Sequence, residues 1–223
     1  MKKWCCVFLL LVALPAHSAS SVCRGTTANG SLEHGVELPA SGANFVTYST
    51  LARLAGRTYV HSSVKDIVIS AYKNLETTMP GTWYKYAETG YQNGGEFKPH
   101  KTHQNGLSVD FMTPVLNANN ESVHLPTHAL NRFGYDIEFD DEGVYGDLRI
   151  DYAALAAHIV ELHKESVKRG FDIWRVIFDP ALQPNLFATQ HADYLRRNIQ
   201  FSTRRSWVRH DEHYHVDFKI PCE

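Results

Sequence analysis

The chain has 223 residues, of which 43% are hydrophobic, and this is enough for one domain with a substantial core. Its net charge of −2 at pH 7 gives no basic excess that would indicate a nucleic-acid or anionic-membrane partner, so we expect neither. Histidine is the unusual residue, with 13 copies, which directs attention to metal binding and acid–base chemistry.

The N-terminus has the pattern of a signal peptide. Two lysines precede an apolar run at residues 4–14, which is too short to span a bilayer as a helix, and small residues follow at the positions that signal peptidases read. We predict that residues 1–18 are cleaved and that residues 19–223 form a single exported domain. The alternative is a buried first helix. No other stretch is apolar enough to cross a membrane.

Two cysteines remain after the predicted cleavage, one near each end of the mature chain. In an oxidising compartment, Cys23 and Cys222 most simply form a disulfide bond, and the alternative is two free thiols. Chain-entropy estimates give such a long closed loop a stabilisation of about 4–5 kcal/mol.

Helical periodicity predicts three helices. Apolar residues recur at helical spacing over residues 62–79, where Ser62 or Ser63 can cap the start. The same pattern predicts a helix over residues 151–169 and a short one over residues 191–198.

Strand signals lie between and after these helices. Residues 107–111, 173–178 and 213–220 have strand-like alternation or β-rich composition. Three stretches are predicted to lack regular structure: an entry segment at residues 19–45 and long loops at residues 83–98 and 116–147. The sum predicts an α+β domain, with helices packed on a small, mostly antiparallel sheet.

The sequence HDEHYHVDF, at residues 210–218, concentrates histidines in the last predicted strand. Side chains alternate between the two faces of a strand, so His213, His215 and Asp217 share one face. The apolar Tyr214 and Val216 point the other way, into a core. One face is therefore rich in metal-binding groups.

A second histidine cluster lies upstream, in HKTHQNGLSVDF at residues 100–111. His103 lies on a turn that Gly106 permits, and Asp110 follows on the predicted strand, on the same face as Ser108. If the two strands are neighbours, His103, Asp110 and His215 converge on one point.

Two imidazoles and one carboxylate are a suitable set of ligands for one Zn²⁺ ion, and three protein ligands leave a position for water. Bound zinc lowers the pKa of water to about 7, and a nearby histidine, His213, can take the proton. Each motif alone is more often a coincidence or a surface pair, but the two clusters together favour a catalytic metal site.

These motifs resemble those of the zinc peptidase superfamily that includes lysostaphin, D-alanyl-D-alanine peptidases and hedgehog. They are most similar to the penicillin-insensitive murein endopeptidases, which also have histidines matching His100 and His210, an aromatic residue matching Trp207 and a cysteine matching Cys222. The match is close over residues 94–111 and 204–222.

The resemblance implies a hedgehog-like or D-Ala-D-Ala-peptidase-like fold, zinc held by His103, Asp110 and His215, and His213 as general base. It implies that His100 and His210 line the site. For the mechanism, we expect His210 or protonated His213 to act as a second electrophile, and His100 to orient a ligand or contact the substrate. Family members are periplasmic and cut peptidoglycan cross-links, typically D-alanyl–diaminopimelate bonds.

Several alternatives remain open. A carboxypeptidase would trim stem peptides instead of cross-links, a silent zinc module would only bind the cell wall, and a secreted effector would share the endopeptidase chemistry. Peptidoglycan is the expected partner, whereas the oligomeric state is left open. Two further sets have open roles: aromatic residues that either line the substrate groove or pack in the core (Trp83, Tyr84, Tyr86, Tyr91), and histidines predicted to be surface or helix residues (His124, His128, His158, His163, His191).

Overall fold

The computed structural model describes residues 20–206 and 208–223. Helices make up 28% and strands 26%, which confirms the predicted α+β class. The predicted signal peptide, residues 1–18, and Trp207 lie outside the described residues. Among the residues described, no helix combines the length and apolar character needed to cross a bilayer.

Strands and helices are interspersed along the chain, and most of the strands are short. The strands are β1 (Val22–Thr26), β2 (Asn29–Glu33), β3 (Val36–Glu37), β4 (Phe45–Thr47), β5 (Tyr59–Val60), β6 (Tyr84–Tyr86), β7 (Ser108–Met112), β8 (Val115–Leu116), β9 (Ser122–Val123), β10 (Val144–Tyr145), β11 (Leu148–Ile150), β12 (Asp172–Ile177) and β13 (His213–Lys219). The helices are α1 (Thr50–Leu54), α2 (Ser62–Thr78), α3 (Tyr152–Lys168), α4 (Gln183–Leu186) and α5 (Ala192–Asn198), with a 3-10 segment at Ala129–Gly134.

A five-stranded sheet in the order β12-β13-β7-β6-β4 forms the centre of the molecule. All its pairs are antiparallel except β4 with β6. Smaller sheets surround it: the hairpin β1-β2, the pair β3-β5 and the four-stranded sheet β10-β11-β8-β9. The last strand of the chain, β13, is therefore held on both sides.

The helices α2 and α3 pack together over one face of the central sheet. In α2 the predicted apolar stripe is buried: Val64, Ile67, Val68, Ala71, Tyr72 and Leu75. Burying a large apolar side chain stabilises the fold by about 1.5–3 kcal/mol, so this stripe holds the helix on the sheet. The start of α2 differs from the prediction, because His61 is the cap residue and its Nδ1 accepts from the Ser63 N–H at 3.1 Å.

The predicted alternation of β13 is confirmed. Its core face carries three buried side chains: Tyr214, Val216 and Phe218. Its other face carries His213, His215 and Asp217. In the register with β7, His215 lies opposite Asp110 and Asp217 lies opposite Ser108, so these four side chains share the face that is turned away from the helices.

Regular structure also occurs where the sequence predicted none. The segment at residues 83–98 contains β6, and its Tyr84 and Tyr86 are core residues, so the interpretation of these two as groove-lining residues is wrong. The entry segment contains the hairpin β1-β2. Strands of two to five residues are too short to produce a reliable periodic signal, which explains the difference.

Two of the five histidines predicted as surface or helix residues lie on α3 but are buried. His158 is 0% exposed and is surrounded by aromatic rings, and His163 bonds Tyr194 and Asp172 through its two ring nitrogens. The buried face of α3 therefore carries two histidines in addition to the apolar residues that predicted this helix.

The predicted disulfide bond between Cys23 and Cys222 is confirmed. Main-chain hydrogen bonds reinforce it: the Glu223 N–H donates to the Cys23 carbonyl at 3.0 Å, and the Gly25 N–H donates to the Glu223 carbonyl at 3.1 Å. The chain end that follows β13 is thus attached to β1.

Candidate metal centre

The structure brings His103, Asp110 and His215 together. Asp110 Oδ1 lies 2.8 Å from His215 Nδ1 and 3.3 Å from His103 Nε2, and the two imidazole ring centroids are 4.8 Å apart. All three side chains are buried. The convergence follows from the pairing of β7 with β13, which places Asp110 opposite His215, and from the turn that delivers His103.

That turn requires two residues in the left-handed region. His103 itself has φ of 69°, which is uncommon for a residue with a side chain, and Gly106 has φ of 77°. A Cβ atom at Gly106 would lie 2.7 Å from the His61 backbone nitrogen, so only glycine fits there. The local sequence therefore folds to aim one imidazole at the carboxylate on β7.

The hydrogen bonds of His103 fix which nitrogen faces the site. Its Nδ1 donates to the Thr89 carbonyl at 3.1 Å, so Nε2 keeps a lone pair. Nε2 is buried and, among the described residues, has no hydrogen-bond partner, since its contact with Asp110 lacks hydrogen-bond geometry. A buried imidazole with one nitrogen oriented by a carbonyl and the other left open fits a metal ligand.

A second carboxylate, that of Asp217, bonds the ring nitrogen of His215 that does not face Asp110. Its Oδ1 lies 2.8 Å from His215 Nε2, and the Ser108 hydroxyl and Arg175 Nε donate to it at 2.6 and 2.7 Å. Burial lowers the pKa of His215, but the charges of Asp217 and Asp110 outweigh this and raise the pKa to about 10. The orientation of His215 Nδ1 toward Asp110 is therefore fixed by Asp217.

The carboxyl group of Asp110 stays ionised although it is buried. Burial alone would raise its pKa, but the adjacent His103 and His213 hold that pKa well below the ordinary value. A buried, ionised carboxylate between imidazoles is suited to a divalent cation.

His100 offers a second way to complete a three-ligand set. Donor atoms of His100, His103 and Asp110 all lie within 4.8 Å of one another. The Nδ1 atom of His100 is 3.8 Å from Asp110 Oδ2, whereas its Nε2 is 2.5 Å from Glu88 Oε2. His215 lies closer to Asp110 than His100 does, but the donor atoms that all lie within 4.8 Å of one another are those of His100, His103 and Asp110, so His215 as the third ligand stays a prediction.

His213, the predicted general base, lies beside this group. Its Nδ1 is 2.7 Å from the buried Glu212 Oε1, which leaves the lone pair on Nε2, 4.0 Å from Asp110 Oδ2. Burial lowers the pKa of His213, but the charges of Glu212 and Asp110 raise it by more, so the pKa is above its ordinary value. This is the arrangement of a carboxylate-oriented general base.

His210 has a different character. Its ring centroid is 4.6 Å from that of His213, and its Nδ1 donates to the Val208 carbonyl at 3.0 Å. Burial lowers its pKa to about 3, so it is neutral and its Nε2 is an acceptor. The predicted role as an electrophile would need a proton on Nε2, which this environment opposes.

The site contains residues that the sequence did not indicate, among them Tyr135 and Glu212. The Tyr135 hydroxyl is 3.4 Å from Asp110 Oδ2, and its ring lies 4.9 Å from that of His213. It follows a segment in which Arg132 and Phe133 have positive φ, inside the stretch predicted as a loop. No periodic signal could have found it, whereas Glu212 could have been found from its position next to His213.

Two cavities flank the histidine cluster. The larger, of about 710 Å³, is lined by residues that include Tyr48, Glu88, His100, Phe133, Tyr135 and Glu212. The smaller, of about 280 Å³, is lined by residues that include His100, Lys101, Thr102, Arg175, His210 and His215. His100 and Val208 line both, so the two cavities are adjacent to each other at the candidate metal centre.

Comparison with known families agrees with this geometry. The family described as penicillin-insensitive murein endopeptidase matches residues 23–223, which contain every residue of the candidate site. No curated protein matches the chain significantly.

Proposed function

Because this chain belongs to the penicillin-insensitive murein endopeptidase family, a family of peptidoglycan peptide hydrolases, we propose that it is a zinc-dependent endopeptidase. Its proposed substrate is the cross-link of peptidoglycan, with cleavage of D-alanyl–diaminopimelate bonds. The observation that carries the proposal is the convergence of His103, Asp110 and His215 next to an oriented His213.

Zinc is the proposed ion because the donor set fits it. Two imidazoles with their outer nitrogens held by the Thr89 carbonyl and the Asp217 carboxylate, and one ionised carboxylate, form a three-ligand site that leaves a position free. When bound, zinc would polarise the substrate carbonyl. It would also lower the pKa of water, so that the water loses a proton more readily and can attack the carbonyl carbon.

The protein's own residues then move the proton. His213 Nε2 accepts it from the attacking water as the carbon–oxygen bond forms, and returns it to the amine nitrogen as the carbon–nitrogen bond breaks. Glu212 keeps the imidazole in the tautomer that this role requires. The Tyr135 hydroxyl, next to Asp110, is placed to donate to the oxygen that gains charge.

The two-part cleft supports cleavage inside a longer peptide. A cross-link continues on both sides of the cleaved bond, and cavities of about 710 and 280 Å³ lie on the two sides of the histidine cluster. The smaller cavity also carries Lys101 and Arg175, which could hold the terminal carboxylate that the carboxypeptidase alternative requires.

We also infer that the protein is exported to the periplasm. Residues 1–18 have the pattern of a signal peptide, and the Cys23–Cys222 disulfide bond is stable only in an oxidising compartment such as the periplasm.

Digestion of purified peptidoglycan, followed by mass analysis of the fragments, tests the proposal. Loss of cross-linked dimers with a gain of monomers is the expected result. Release of single amino acids would show a carboxypeptidase instead. No change in the fragments, with zinc bound to the protein, would show a non-catalytic cell-wall-binding module.

A further inference from the structure

The smaller cavity beside the histidine cluster is lined by two cationic side chains. It contains the side chains of Lys101 and Arg175, and none of its described lining residues is an aspartate or a glutamate. The larger cavity differs, because its arginines alternate with carboxylates such as Glu88 and Glu212. The smaller cavity is therefore complementary to an anionic group of the substrate.

The guanidinium of Arg175 is fixed in place. Its Nε donates to Asp217 Oδ2 at 2.7 Å, and its Cζ lies 4.5 Å from the centre of the Trp174 ring. Within residues 20–206 and 208–223, no hydrogen bond or ion pair engages its two terminal nitrogens. Those two nitrogens form the fork that binds a carboxylate through two parallel hydrogen bonds.

Asp217 connects this guanidinium to the candidate metal centre. Its Oδ2 holds Arg175, and its Oδ1 holds the outer nitrogen of His215 at 2.8 Å. Only the carboxylate of Asp217 separates the guanidinium of Arg175 from His215, a proposed zinc ligand. An anion bound to Arg175 would therefore lie close to the reacting atoms.

The chemistry of the proposed substrate supplies such an anion, and the inference rests on the proposed function. Diaminopimelate has two amino groups, and each is attached to a carbon that also carries a carboxyl group. The nitrogen of the bond to be cut is therefore next to a free carboxylate. A terminal D-alanine in a stem peptide has the same arrangement.

We propose that Arg175, with Lys101 beside it, binds the carboxylate on the carbon that bears the nitrogen of the cleaved bond. This makes Arg175 a specificity residue for the amine side of the cleaved bond. The two sources of this carboxylate are the diaminopimelate of a cross-link and the terminal D-alanine of an untrimmed stem.

A double-substitution cycle tests the assignment. Wild-type protein and Arg175→Gln are each given cross-linked dimers in which the amine-side diaminopimelate carboxylate is free or amidated. In the wild type, amidation is expected to lower kcat/KM about 10- to 100-fold, as for a charge-assisted bond. In Arg175→Gln, both dimers should be cut at the same low rate. Equal losses on amidation in both proteins would overturn the proposal.

Controls separate recognition from damage to the site. Arg196→Gln removes a guanidinium that lies 5.1 Å from the Phe187 ring, outside the cleft, and should behave as the wild type. The zinc content of Arg175→Gln should equal that of the wild type. If the variant instead loses zinc and cuts both dimers equally slowly, Arg175 acts only through Asp217 and the proposal is wrong.

Further measurements distinguish the carboxylate sources and the proposed function. The same four-way comparison with pentapeptide stems, whose terminal D-alanine is free or amidated, tests the second source of the carboxylate. As a control, amidation of the stem glutamate should change kcat/KM by the same factor in the wild type and in Arg175→Gln. Calorimetry with the released diaminopimelate tripeptide, free or amidated, needs no turnover. Absence of cleavage by the wild type would reject the proposed function, whereas equal tripeptide affinities of wild type and Arg175→Gln would reject the Arg175 assignment.

Discussion

Two fully buried histidines lie on opposite sides of the central sheet. His103 faces Asp110 on the side of the cleft, and His158 lies in the core, with its ring stacked on Tyr72 at 4.9 Å and 4.7 Å from Phe111. Burial lowers the pKa of both, and both leave Nε2 without a hydrogen-bond partner in the described part of the chain.

The two histidines differ in whether an ionised carboxylate lies beside the imidazole. Around His158, the described neighbours are aromatic rings and the Tyr214 hydroxyl, which bonds its Nδ1, and none of them is an anionic metal ligand. His103 has an ionised aspartate 3.3 Å away and a second imidazole beyond it. An open, buried imidazole therefore indicates a metal site only where an anionic ligand shares the same space.

The largest difference in zinc content and turnover is expected between the variants that replace His103 and His158. His103→Ala should abolish zinc binding and lower turnover by about 10³-fold or more, because the proposed ion loses a ligand. His158→Phe should keep its zinc and most of its activity. Metal content by mass spectrometry, measured with the turnover of cross-linked dimers, makes the comparison, and equal zinc in His103→Ala and the wild type would remove His103 from the ligand set.

The same assay separates the two candidates for the second imidazole. If His215 is the ligand, His215→Ala should lose zinc, whereas His100→Ala should retain it and lose activity by a smaller factor, about 10- to 100-fold. The opposite result would make the ligand set His100, His103 and Asp110, whose donor atoms lie within 4.8 Å of one another.

The next largest loss of activity is expected on replacing His213, the proposed general base. His213→Ala should retain zinc but lose about 10²- to 10⁴-fold in kcat, because the proton of the attacking water has no acceptor. Full activity of this variant would show that His213 is not the base.

A smaller effect is expected one residue earlier. Glu212→Gln keeps the shape of the side chain that contacts His213 Nδ1 but removes its charge, and kcat should fall about 10- to 100-fold with zinc unchanged. Glu138→Gln changes an exposed carboxylate at the edge of the larger cavity, so it is a control for the loss of one charge near the cleft. A kcat for Glu212→Gln no lower than that of the control would mean that Glu212 does not orient the base.

The smallest effect concerns stability in acid. Burial lowers the pKa of His158 to about 3, and Tyr72, Tyr84 and Tyr214 are the titratable groups that face it. Since the pKa of His158 is lower in the folded state than in the unfolded state, its contribution to stability is complete above about pH 6.5 and decreases as the pH falls toward 3.

Urea unfolding of the wild type and His158→Phe at two pH values measures this contribution. The free energy of unfolding of the wild type should fall by about 2 kcal/mol more than that of His158→Phe between pH 7 and pH 5. His128→Gln, at an exposed position, should track the wild type. Parallel losses in the wild type and His158→Phe would mean that His158 is not kept neutral by burial.

The sequence predicted the parts of the site that follow a simple period. Side chains of β13 alternate, so the grouping of His213, His215 and Asp217 could be predicted without knowing the fold. The placement of Asp110 followed in the same way from β7. The disulfide bond was predictable because residues 19–223 contain only two cysteines.

The rest depends on contacts that no local pattern records. Tyr135 reaches Asp110 through a segment with positive φ at Arg132 and Phe133, and such turns have no repeat to detect. The burial of His158 comes from rings contributed by α2, β6 and β7, which are far apart in sequence. Tertiary packing decides these cases.

The junction between the two chain ends has a consequence for proteolysis. The bond between Cys23 and Cys222 closes residues 23–222 into a covalent ring. A protease that cut the exposed turn at residues 118–120 would leave both pieces covalently attached to each other. A nicked molecule would migrate as two fragments only after reduction, and a single cut would leave the histidine-bearing strand covalently attached to the rest of the molecule.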